Sequence, residues 1–442
     1  MFSEVLNHPL TLPVIVPVLA GFLCLLIPRG GASLRSLVAV LASVATLWLA
    51  WRVFRLGEAA FEPVFWLSLR VDPLSGFVLL AIAFFAFLIT VYSLGYWKGK
   101  ALHREYFTYL LWTLGISCMT VLANDLLLLL VCWGFLGLLL YLMVGLSGPK
   151  AAGAARKSLM IIGGTDALLL LGILLYWQVS ASTHLAGQGA GALELETPAS
   201  YAAFLCFLAA ALAKAGAVPF HSWVPDFGEQ ADAPISAYLP ASLDKLLGIY
   251  LLARCVTDLF VPTPGLYLLL MALGAITIIS AVLMALVQHD LKRLLSYHAV
   301  SQVGYMVLGI GTGTAIGLAG GLFHMLNNTV YKSALFLCAG NVEKETGTSD
   351  LDKLGGLARL MPVTFIACLV AALAISGVPP LNGFTSKWMI YQSVIATGEA
   401  GGVSWIIWLA VAMLGSALTL ASFVKVLHAT FLCKASPRVQ AA

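Results

Sequence analysis

Residues 201–220 read YAAFLCFLAAALAKAGAVPF, an apolar run that contains both a lysine and a proline. About 20 apolar residues are enough for a helix to cross a bilayer. However, Lys214 costs about 2.5–3.5 kcal/mol to place there, and Pro219 interrupts the helical hydrogen bonds. A helix broken at membrane depth is tolerated only inside protein or beside a water-filled cavity. The run therefore predicts a broken helix, with a buried amine beside the break, inside a larger membrane protein.

The composition of the whole chain agrees with a membrane protein. Its 442 residues are 61% hydrophobic and 10% charged, with a mean hydropathy of +0.97. A soluble domain is about 45–50% apolar and about 25% charged, so a soluble enzyme, a disordered chain and a nucleic-acid-binding protein are excluded. The eight cysteines form no CxxC pair, and no nucleotide-binding glycine motif lies in a suitable context. We therefore expect no cofactor, metal or redox chemistry in this chain.

The apolar runs predict an all-α integral membrane protein with about thirteen transmembrane helices. A second run, which contains Pro379 and Pro380, is interrupted in the same way as the first. The predicted spans are 9–28, 33–54, 72–97, 104–123, 126–147, 157–177, 201–222, 237–259, 264–287, 295–312, 314–341, 362–393 and 404–430.

The basic residues predict the orientation of these spans. If the N-terminus lies outside, fifteen of the 24 lysines and arginines fall on the inner side, while Arg52, Arg55, Arg70 and Arg254 fall outside. Positive charge accumulates on the cytoplasmic side of membrane proteins. We therefore expect a multi-pass protein of a prokaryotic cytoplasmic membrane, with the N-terminus outside and the C-terminus inside.

The chain also shows a weak internal repeat. Asp125 and Asp290 each open a span, Arg156-Lys157-Ser158 resembles Tyr331-Lys332-Ser333, and the two proline breaks follow in the same order. The offsets lie between 160 and 175 residues, and five spans separate equivalent elements, so the two copies would face opposite sides of the membrane. We therefore predict a single transmembrane domain over 1–442, with three leading helices at 9–98 and inverted five-helix repeats at 104–259 and 264–432. Inverted repeats with broken helices are typical of transporters.

Several ionisable residues fall inside the predicted spans. A charge is costly at this depth, so each such residue is a candidate for a function. His298 lies on one helix face with Ser301, Gln302 and Tyr305, and His324 lies on one face with Asn328 and Lys332. The predicted proton path comprises Lys214, Lys245, Lys387, Lys332, His298, His324, Asp166 and Asp244. Lys425 lies near a helix end, from which it can reach the membrane surface. Lysine and histidine can pass protons on because burial disfavours their charged forms. Polar residues that only specify helix packing, or a haem between His298 and His324, are the alternatives.

Longer motifs give the chain a resemblance to a known family. They are Lys214–Asp226 (KAGAVPFHSWVPD), Ala233–Ala237 (APISA), Asp290–Tyr297 (DLKRLLSY), Tyr331–Gly340 (YKSALFLCAG) and Gly377–Lys387 (GVPPLNGFTSK). Over roughly 70–432, the chain resembles the antiporter-like subunits of respiratory complex I, of energy-converting hydrogenases and of multisubunit Mrp cation/proton antiporters. The resemblance implies two inverted five-helix bundles. It also implies a hydrated axis through Lys214, Lys332, Lys387 and His324, along which protons move.

The sequence departs from the family pattern mainly in the first bundle. The family usually has a Trp-Glu pair in the fifth span, whereas this chain has Trp133-Gly134, so the usual partner of Lys214 is lost. Lys245 lies five residues before Tyr250, where the family spacing is four, and Asn328 replaces a common second histidine. Asp166 or Asp244 could substitute for the missing glutamate.

The resemblance implies a subunit that translocates protons, or Na⁺ against protons, in a redox-driven complex of the NADH:quinone oxidoreductase or membrane-bound hydrogenase type. Its partners would be homologous antiporter-like subunits and redox subunits that carry iron–sulfur, flavin or metal centres. Two alternatives remain: a subunit of a cation/proton antiporter without a redox partner, and a structural paralogue that does not pump.

Overall fold

The computed structural model describes residues 2–64, 67–185, 192–400 and 403–441, and this part of the chain is mostly helical. The predicted class, an all-α integral membrane protein, is confirmed. Its helices are α1 (Phe2–Asn7), α2 (Leu12–Leu26), α3 (Ala32–Leu56), α4 (Pro73–Tyr96), α5 (His103–Leu122), α6 (Leu126–Gly145), α7 (Ala152–Ser180), α8 (Pro198–Ala215), α9 (Trp223–Gln230), α10 (Ala233–Tyr238), α11 (Asp244–Arg254), α12 (Pro264–Leu286), α13 (Leu291–Gly311), α14 (Ala315–Thr346), α15 (Pro362–Ser376), α16 (Asn382–Ala396), α17 (Trp405–Leu427) and α18 (Pro437–Ala441).

Each predicted span contains one helix or consecutive helical segments, although the span 201–222 runs seven residues past the end of α8. Within the described ranges, eight helical segments are long and apolar enough to cross a membrane, and two shorter apolar helices accompany them. The number of thirteen crossings and the repeats at 104–259 and 264–432 stay predictions.

The chain divides into two compact units, and the first comprises Met1–Ala211 and Tyr250–Val261. Here α2 packs against α3 and α5, and α6 packs against α5 and α7. An antiparallel hairpin of β1 (Ala59–Val64) and β2 (Leu67–Val71) and a short parallel pair, β3 (Leu193–Glu194) and β4 (Phe260–Val261), accompany the helices. The sequence did not predict these strands because they are short and lie in connections between apolar runs.

Arg254 occupies a buried ionic site in the first unit. The charge count assigns it to the outer side, and the structure places it in the last turn of α11 with 7% of its surface exposed. Its guanidinium pairs with Asp72 at 2.6 Å and also with Asp258. Asp72 additionally accepts the backbone N–H of Ser75 and so caps α4. A buried cation needs such partners, and the pair ties the start of α4 to the end of α11.

The second unit comprises Leu212–Ile249 and Pro262–Ala442 and is organised around α13 and α14. Helices α12 and α13 lie very close together at two glycines. A Cβ atom on Gly274 would lie 2.6 Å from the Leu308 nitrogen, and one on Gly304 would lie 2.6 Å from the Gly274 oxygen. Small residues allow such close approach of membrane helices. The 32-residue helix α14 packs against α10, α13, α15 and α16.

The same capping arrangement occurs once in each unit. In the first, Asp125 accepts the N–H groups of Leu127 and Leu128 at the start of α6 and also the Thr183 hydroxyl. In the second, Asp290 accepts the Arg293 N–H at the start of α13 and also the Ser349 hydroxyl. A side-chain cap satisfies N–H groups that the helix leaves unpaired.

The backbone beside each cap repeats as well. The Leu126 N–H donates to the Thr183 oxygen at 2.7 Å, and the Leu291 N–H donates to the Ser349 oxygen at 2.8 Å. The short sequence match around the two aspartates thus corresponds to one local structure, in which a carboxylate starts a helix and holds a distant loop.

We expect Asp290→Ala to lower the melting temperature of the purified protein in detergent, since the loss of an N-cap costs about 0.5–2 kcal/mol. Asp352→Ala is the matched control, because that side chain is 71% exposed and pairs with His289, which is 70% exposed. Exposed pairs contribute little, so the control should melt like the parent. Equal melting of both variants would show that the Asp290 cap is not needed.

Candidate functional site: a buried row of ionisable side chains

Both proline-containing runs are broken helices. Helix α8 ends at Ala215 and α9 begins at Trp223, while α15 ends at Ser376 and α16 begins at Asn382. The prolines singled out in the sequence lie in these two gaps: Pro219 in the first, and Pro379 and Pro380 in the second.

The two helices end in the same way. Gly216 follows α8 with a φ of +77°, and Gly377 follows α15 with a φ of +81°. The next N–H turns back to a carbonyl of the last turn, from Ala217 to Leu212 at 2.8 Å and from Val378 to Leu373 at 3.1 Å. This is the Schellman motif, which favours glycine at the left-handed position.

A lysine side chain meets the carbonyl end at each break. Lys245 Nζ donates to the Ala215 oxygen at 3.2 Å, and Lys387 Nζ donates to the Ile375 oxygen at 2.9 Å. The last carbonyls of a helix lack partners within it and carry partial negative charge. Each break thus supplies an acceptor that stabilises a buried lysine amine.

A π-helical turn over Leu239–Leu243 precedes Asp244 and Lys245, where the sequence predicted a continuous helix. Polar side chains of α14 reach carbonyls around this turn: the Asn328 amide donates to Ala241 at 3.4 Å, and the Ser333 hydroxyl donates to Ala237 at 3.3 Å. Such turns often accompany functional sites, and the carbonyls they free need partners inside a membrane protein.

The second unit brings together seven of the eight ionisable residues predicted for the proton path, and each is at most 3% exposed. We call them the row. Its members are Lys214, Asp244, Lys245, Lys332, His298, Lys387 and His324. They are given in an order in which each member lies close enough to the next for their charges to interact. The row contains one carboxylic acid, four amines and two imidazoles.

His324 is held by hydrogen bonds on both ring nitrogens. Nδ1 lies 2.8 Å from the Ser386 hydroxyl, and Nε2 lies 3.2 Å from Oε1 of Gln302. Because an amide oxygen only accepts, the proton belongs on Nε2, and Nδ1 accepts from Ser386 when the ring is neutral. His324 can therefore take up a further proton at Nδ1 if Ser386 turns its hydroxyl away.

The middle of the row has fewer polar partners. Lys332 Nζ donates to the Leu295 oxygen at 2.8 Å and lies 5.5 Å from the centre of the Phe423 ring. His298 Nε2 lies 2.7 Å from the Ser422 hydroxyl. Among the described residues, His298 Nδ1 and Asp244 Oδ2 are buried without a hydrogen-bond partner. Each of these two atoms has a hydrogen-bonding capacity that the described residues do not use.

Asp166 lies in the first unit and is half-buried. A Cβ atom added at Gly137 would lie 3.5 Å from the Asp166 carboxylate, so Gly137 is a position on α6 that faces Asp166. Gly134, where the family glutamate is lost, is half-buried too, and a Cβ atom there would meet nothing within 4 Å.

Lys425 is not a member of the row and has hydrogen-bond partners of its own. Its Nζ donates to the Leu286 oxygen at 3.1 Å and to the Gln288 oxygen at 2.8 Å, at the end of α12. A lysine that caps a helix C-terminus in this way is a structural feature.

Sequence reasoning missed the hydroxyl partners of the histidines. Ser386 and Ser422 lie in apolar helices, where serine usually bonds to its own backbone. The position of Ser386 directly before Lys387 is the one signal that could have drawn attention to it.

The family model described as NADH:quinone oxidoreductase/Mrp antiporter, TM, matches residues 123–419. The chain is 32% identical over 361 residues to F(420)H(2) dehydrogenase subunit L of Methanosarcina mazei, covering 74% of this chain and 53% of that protein. It is 30% identical over 441 residues to NADH-quinone oxidoreductase subunit N of Desulforudis audaxviator, covering 96% of this chain and 87% of that protein.

A solved structure extends the likeness to the fold. A chain of the Mrp complex from Dietzia sp. DQ12-45-1b matches with a TM-score of 0.89 and 26% identity, covering 99% of this chain and 82% of that one. The chain spans about half the length of several of the curated relatives it matches, such as subunit L.

We expect Gly377→Ala to destabilise the protein. A non-glycine residue at positive φ costs about 1–2 kcal/mol, and the added Cβ would lie 3.1 Å from Lys387 Cδ. The matched control is Gly153→Ala, because Gly153 lies in α7 and a Cβ there meets nothing within 4 Å. Thermal unfolding in detergent should show a lower melting temperature for the first variant only. A Gly377→Ala protein as stable as the parent would contradict the need for glycine at the break.

Proposed function

We propose that this chain, which belongs to the NADH:quinone oxidoreductase/Mrp antiporter transmembrane family, translocates protons along the row. The observation that carries the proposal is the burial of seven ionisable side chains within the second unit, each of them at most 3% exposed. Charged side chains at membrane depth are costly, so such a concentration needs a function beyond packing.

The mechanism follows from the composition of the row. An amine or an imidazole can hold a proton or give it up, and burial disfavours the form that carries the charge. A proton on one member raises the cost of a proton on its neighbour, because like charges repel and loss of a negative charge removes an attraction. A change of charge at one end of the row would then move protons stepwise toward the other end. The carbonyls at the two helix breaks would stabilise the charged forms of Lys245 and Lys387 in turn.

The proposed setting is a redox-driven complex of the NADH:quinone oxidoreductase or membrane-bound hydrogenase type in a prokaryotic cytoplasmic membrane. The names of the matched M. mazei and D. audaxviator subunits support it. Electron transfer would take place in partner subunits that carry iron–sulfur, flavin or metal centres, beside homologous antiporter-like subunits. The excess of basic residues in alternate connections supports an outside N-terminus and an inside C-terminus.

A subunit of a multisubunit cation/proton antiporter is the second candidate, and Na⁺ would then exchange for protons. The extent of the match to the Mrp complex, 99% of this chain, favours it. A structural paralogue that does not pump is the third candidate, and the loss of the glutamate at Gly134 supports it.

We expect Lys332→Met and Lys387→Met to abolish proton translocation by the intact complex in membrane vesicles while assembly survives. Methionine keeps an apolar stem in the space but carries no proton. Lys425→Met is the matched control, since this lysine also lies in an apolar helix but caps α12. Acidification of the vesicle lumen, followed with a pH-sensitive dye, measures the rate.

The driving force in the same vesicles separates the candidates. Translocation started by an electron donor supports the redox-driven complex, and translocation started only by an imposed Na⁺ gradient supports the antiporter. Parental rates in both lysine variants would overturn proton conduction along the row and leave the structural paralogue.

A second variant tests the first predicted repeat. Gly134→Glu restores the family carboxylate at a position where the added Cβ meets nothing within 4 Å. If Lys214 takes part in translocation, the new charge should change the pH dependence of the rate. Gly134→Gln has the same size without the charge and should behave like the parent. Identical pH profiles for the two variants would indicate that the first repeat is idle.

A further inference from the structure

A cavity of about 540 Å³ opens between the start of α6 and the end of α7. Part of its wall is polar and consists of Asp125, Ser182, Thr183 and His184. The remaining wall residues are apolar, and the larger ones are Leu127, Leu128, Val131, Ile173, Leu174 and Trp177. We propose that this cavity binds one phospholipid whose zwitterionic headgroup carries an ammonium group. The cavity lies within the first unit, whereas the row lies in the second, so the inference goes beyond the proposed function.

The two parts of the wall match the two parts of a lipid. The polar residues precede α6 or follow α7, where the chain leaves the membrane. In the predicted orientation this is the outer surface. The apolar residues lie in the first turns of α6 and the last turns of α7, and Leu127, Val131, Leu174 and Trp177 are 45–56% exposed. An amphipathic molecule can therefore place its polar group among the loop residues and its chain against the helices. The volume falls in the range of ligand sites, about 300–1,000 Å³.

An acidic and a basic side chain stand next to each other in the polar wall. Asp125 and His184 lie directly opposite one another in an antiparallel β-bridge. Opposed residues of an antiparallel pair project to the same side, with Cβ atoms about 4.5–5.5 Å apart. The carboxylate and the imidazole can thus contact one ligand together. A zwitterionic headgroup, with one ammonium and one phosphate, is the complement of such a pair.

The His184 ring has a hydrogen-bonding position that the described residues do not use. Its Nδ1 is buried without a partner, which is costly unless a ligand or water supplies one. The Ser182 hydroxyl accepts the His184 N–H at 3.1 Å and can still donate its own proton. An imidazole with its proton on Nδ1 is a second donor. Phosphate oxygens only accept, so the two donors suit the phosphate of the headgroup.

Asp125 determines which headgroup is favoured. Its carboxylate is 5% exposed and accepts the Leu127 and Leu128 N–H groups and the Thr183 hydroxyl. Among the described residues that line the cavity, none is a lysine or an arginine. The field in the cavity therefore repels a headgroup with net negative charge and attracts an ammonium. The Trp177 ring in the same wall can add a cation–π contact to that ammonium.

The turn that supplies the polar wall has an uncommon backbone conformation. Ala181 has a φ of +55°, and it is the one residue other than glycine with a positive φ in the described ranges. Alanine rarely adopts this conformation, and such backbone is frequent at ligand-binding sites. The turn brings Ser182, Thr183 and His184 to the cavity.

The second unit provides an internal comparison. There Asp290 is bridged to Asp350, as Asp125 is bridged to His184 in the first unit. The Asp350 carboxylate pairs with Lys353 at 2.6 Å, so its own chain satisfies it. His184 instead keeps Nδ1 for another partner. The repeated turn therefore does not by itself require the imidazole, and a ligand in the cavity accounts for it.

Native mass spectrometry of the full chain tests the proposal. The protein is purified in detergent, stripped of lipid, and offered phosphatidylethanolamine or phosphatidylglycerol with the same acyl chains. We expect one phosphatidylethanolamine to bind at least about tenfold more tightly than phosphatidylglycerol, because a hydrogen-bonded contact with a charged group contributes about that factor.

Two variants with matched controls locate the bound lipid. His184→Ala should weaken phosphatidylethanolamine binding about tenfold, and its control is His289→Ala, which removes an imidazole that is 70% exposed in the second unit. Leu174→Trp should block the apolar part of the cavity. Its control is Met160→Trp, because Met160 is 73% exposed on the same helix and lies about 21 Å away along it. Both controls should bind like the parent.

A third variant tests the headgroup. Asp125→Asn removes the negative charge but keeps a residue that caps helices well, so α6 should still begin normally. The preference for phosphatidylethanolamine over phosphatidylglycerol should then disappear. The melting temperature of each lipid-free variant shows whether it is folded. His184 is half-buried in a loop, so its variant decides the matter if the bulkier tryptophan at 174 unfolds the protein.

Weak binding by His184→Ala and Leu174→Trp, with normal binding by both controls, supports the site. Unchanged binding by His184→Ala and by a folded Leu174→Trp would place the lipid elsewhere and overturn it. Equal affinity of the parent for the two lipids would overturn the proposed headgroup. Retention of a quinone instead of phosphatidylethanolamine, or of no amphipathic molecule, would overturn the proposed ligand.

Discussion

The structure depends on how unpaired backbone groups are satisfied where helices break inside the membrane. A lipid environment offers them no hydrogen bonds, so each break must find partners within the protein. At both breaks the chain turns at a glycine, and a lysine from elsewhere donates to the exposed carbonyl end. The same hydrogen bond satisfies both groups. The carbonyls gain a donor, and Lys245 and Lys387 gain an acceptor at a membrane depth where an ammonium group without a partner is energetically costly. A helix break and a buried lysine are each unfavourable in free energy when alone in the membrane, and the hydrogen bond between them stabilises both.

The sequence predicted much of this because its strongest signals are local. Asp125 and Asp290 stand directly before apolar runs, and a proline inside an apolar run marks a break whatever the tertiary structure. Buried lysines are equally visible, since little else in these runs is charged. The π-helical turn before Asp244 was not predictable because it is a shift in backbone pairing with no fixed sequence pattern. The hydroxyl partners were missed for a related reason: Ser386, Ser416 and Ser422 resemble any helical serine until packing places them against α13 and α14.

The repeated details support a common origin for two parts of the chain. The aspartate caps, the loops they hold and the glycine turns after α8 and α15 recur with offsets of about 160–166 residues. The two breaks then differ in one respect that bears on function. Lys214 lies just before the first break, whereas Lys387 lies after the second. If the two parts descend from one repeat, the ionisable groups were added to the shared scaffold at different positions, so the two breaks need not work alike.

The charge balance of the row limits how it can operate. Six of its members are bases, and Asp244 is its one acid, so protonation of all six bases would place six positive charges against at most one negative charge. Two like charges 4 Å apart repel by about 4 kcal/mol at an effective dielectric constant of about 20. Most of the bases must therefore be neutral at any moment, and the positive charge must be confined to a few positions, with Asp244 favouring Lys214 and Lys245. Within the row, Asp244 is the one carboxylate that can stabilise a positive charge on a neighbouring base. Under the proposed function, Asp244 is therefore the one member of the row whose negative charge can offset a proton on Lys214 or Lys245.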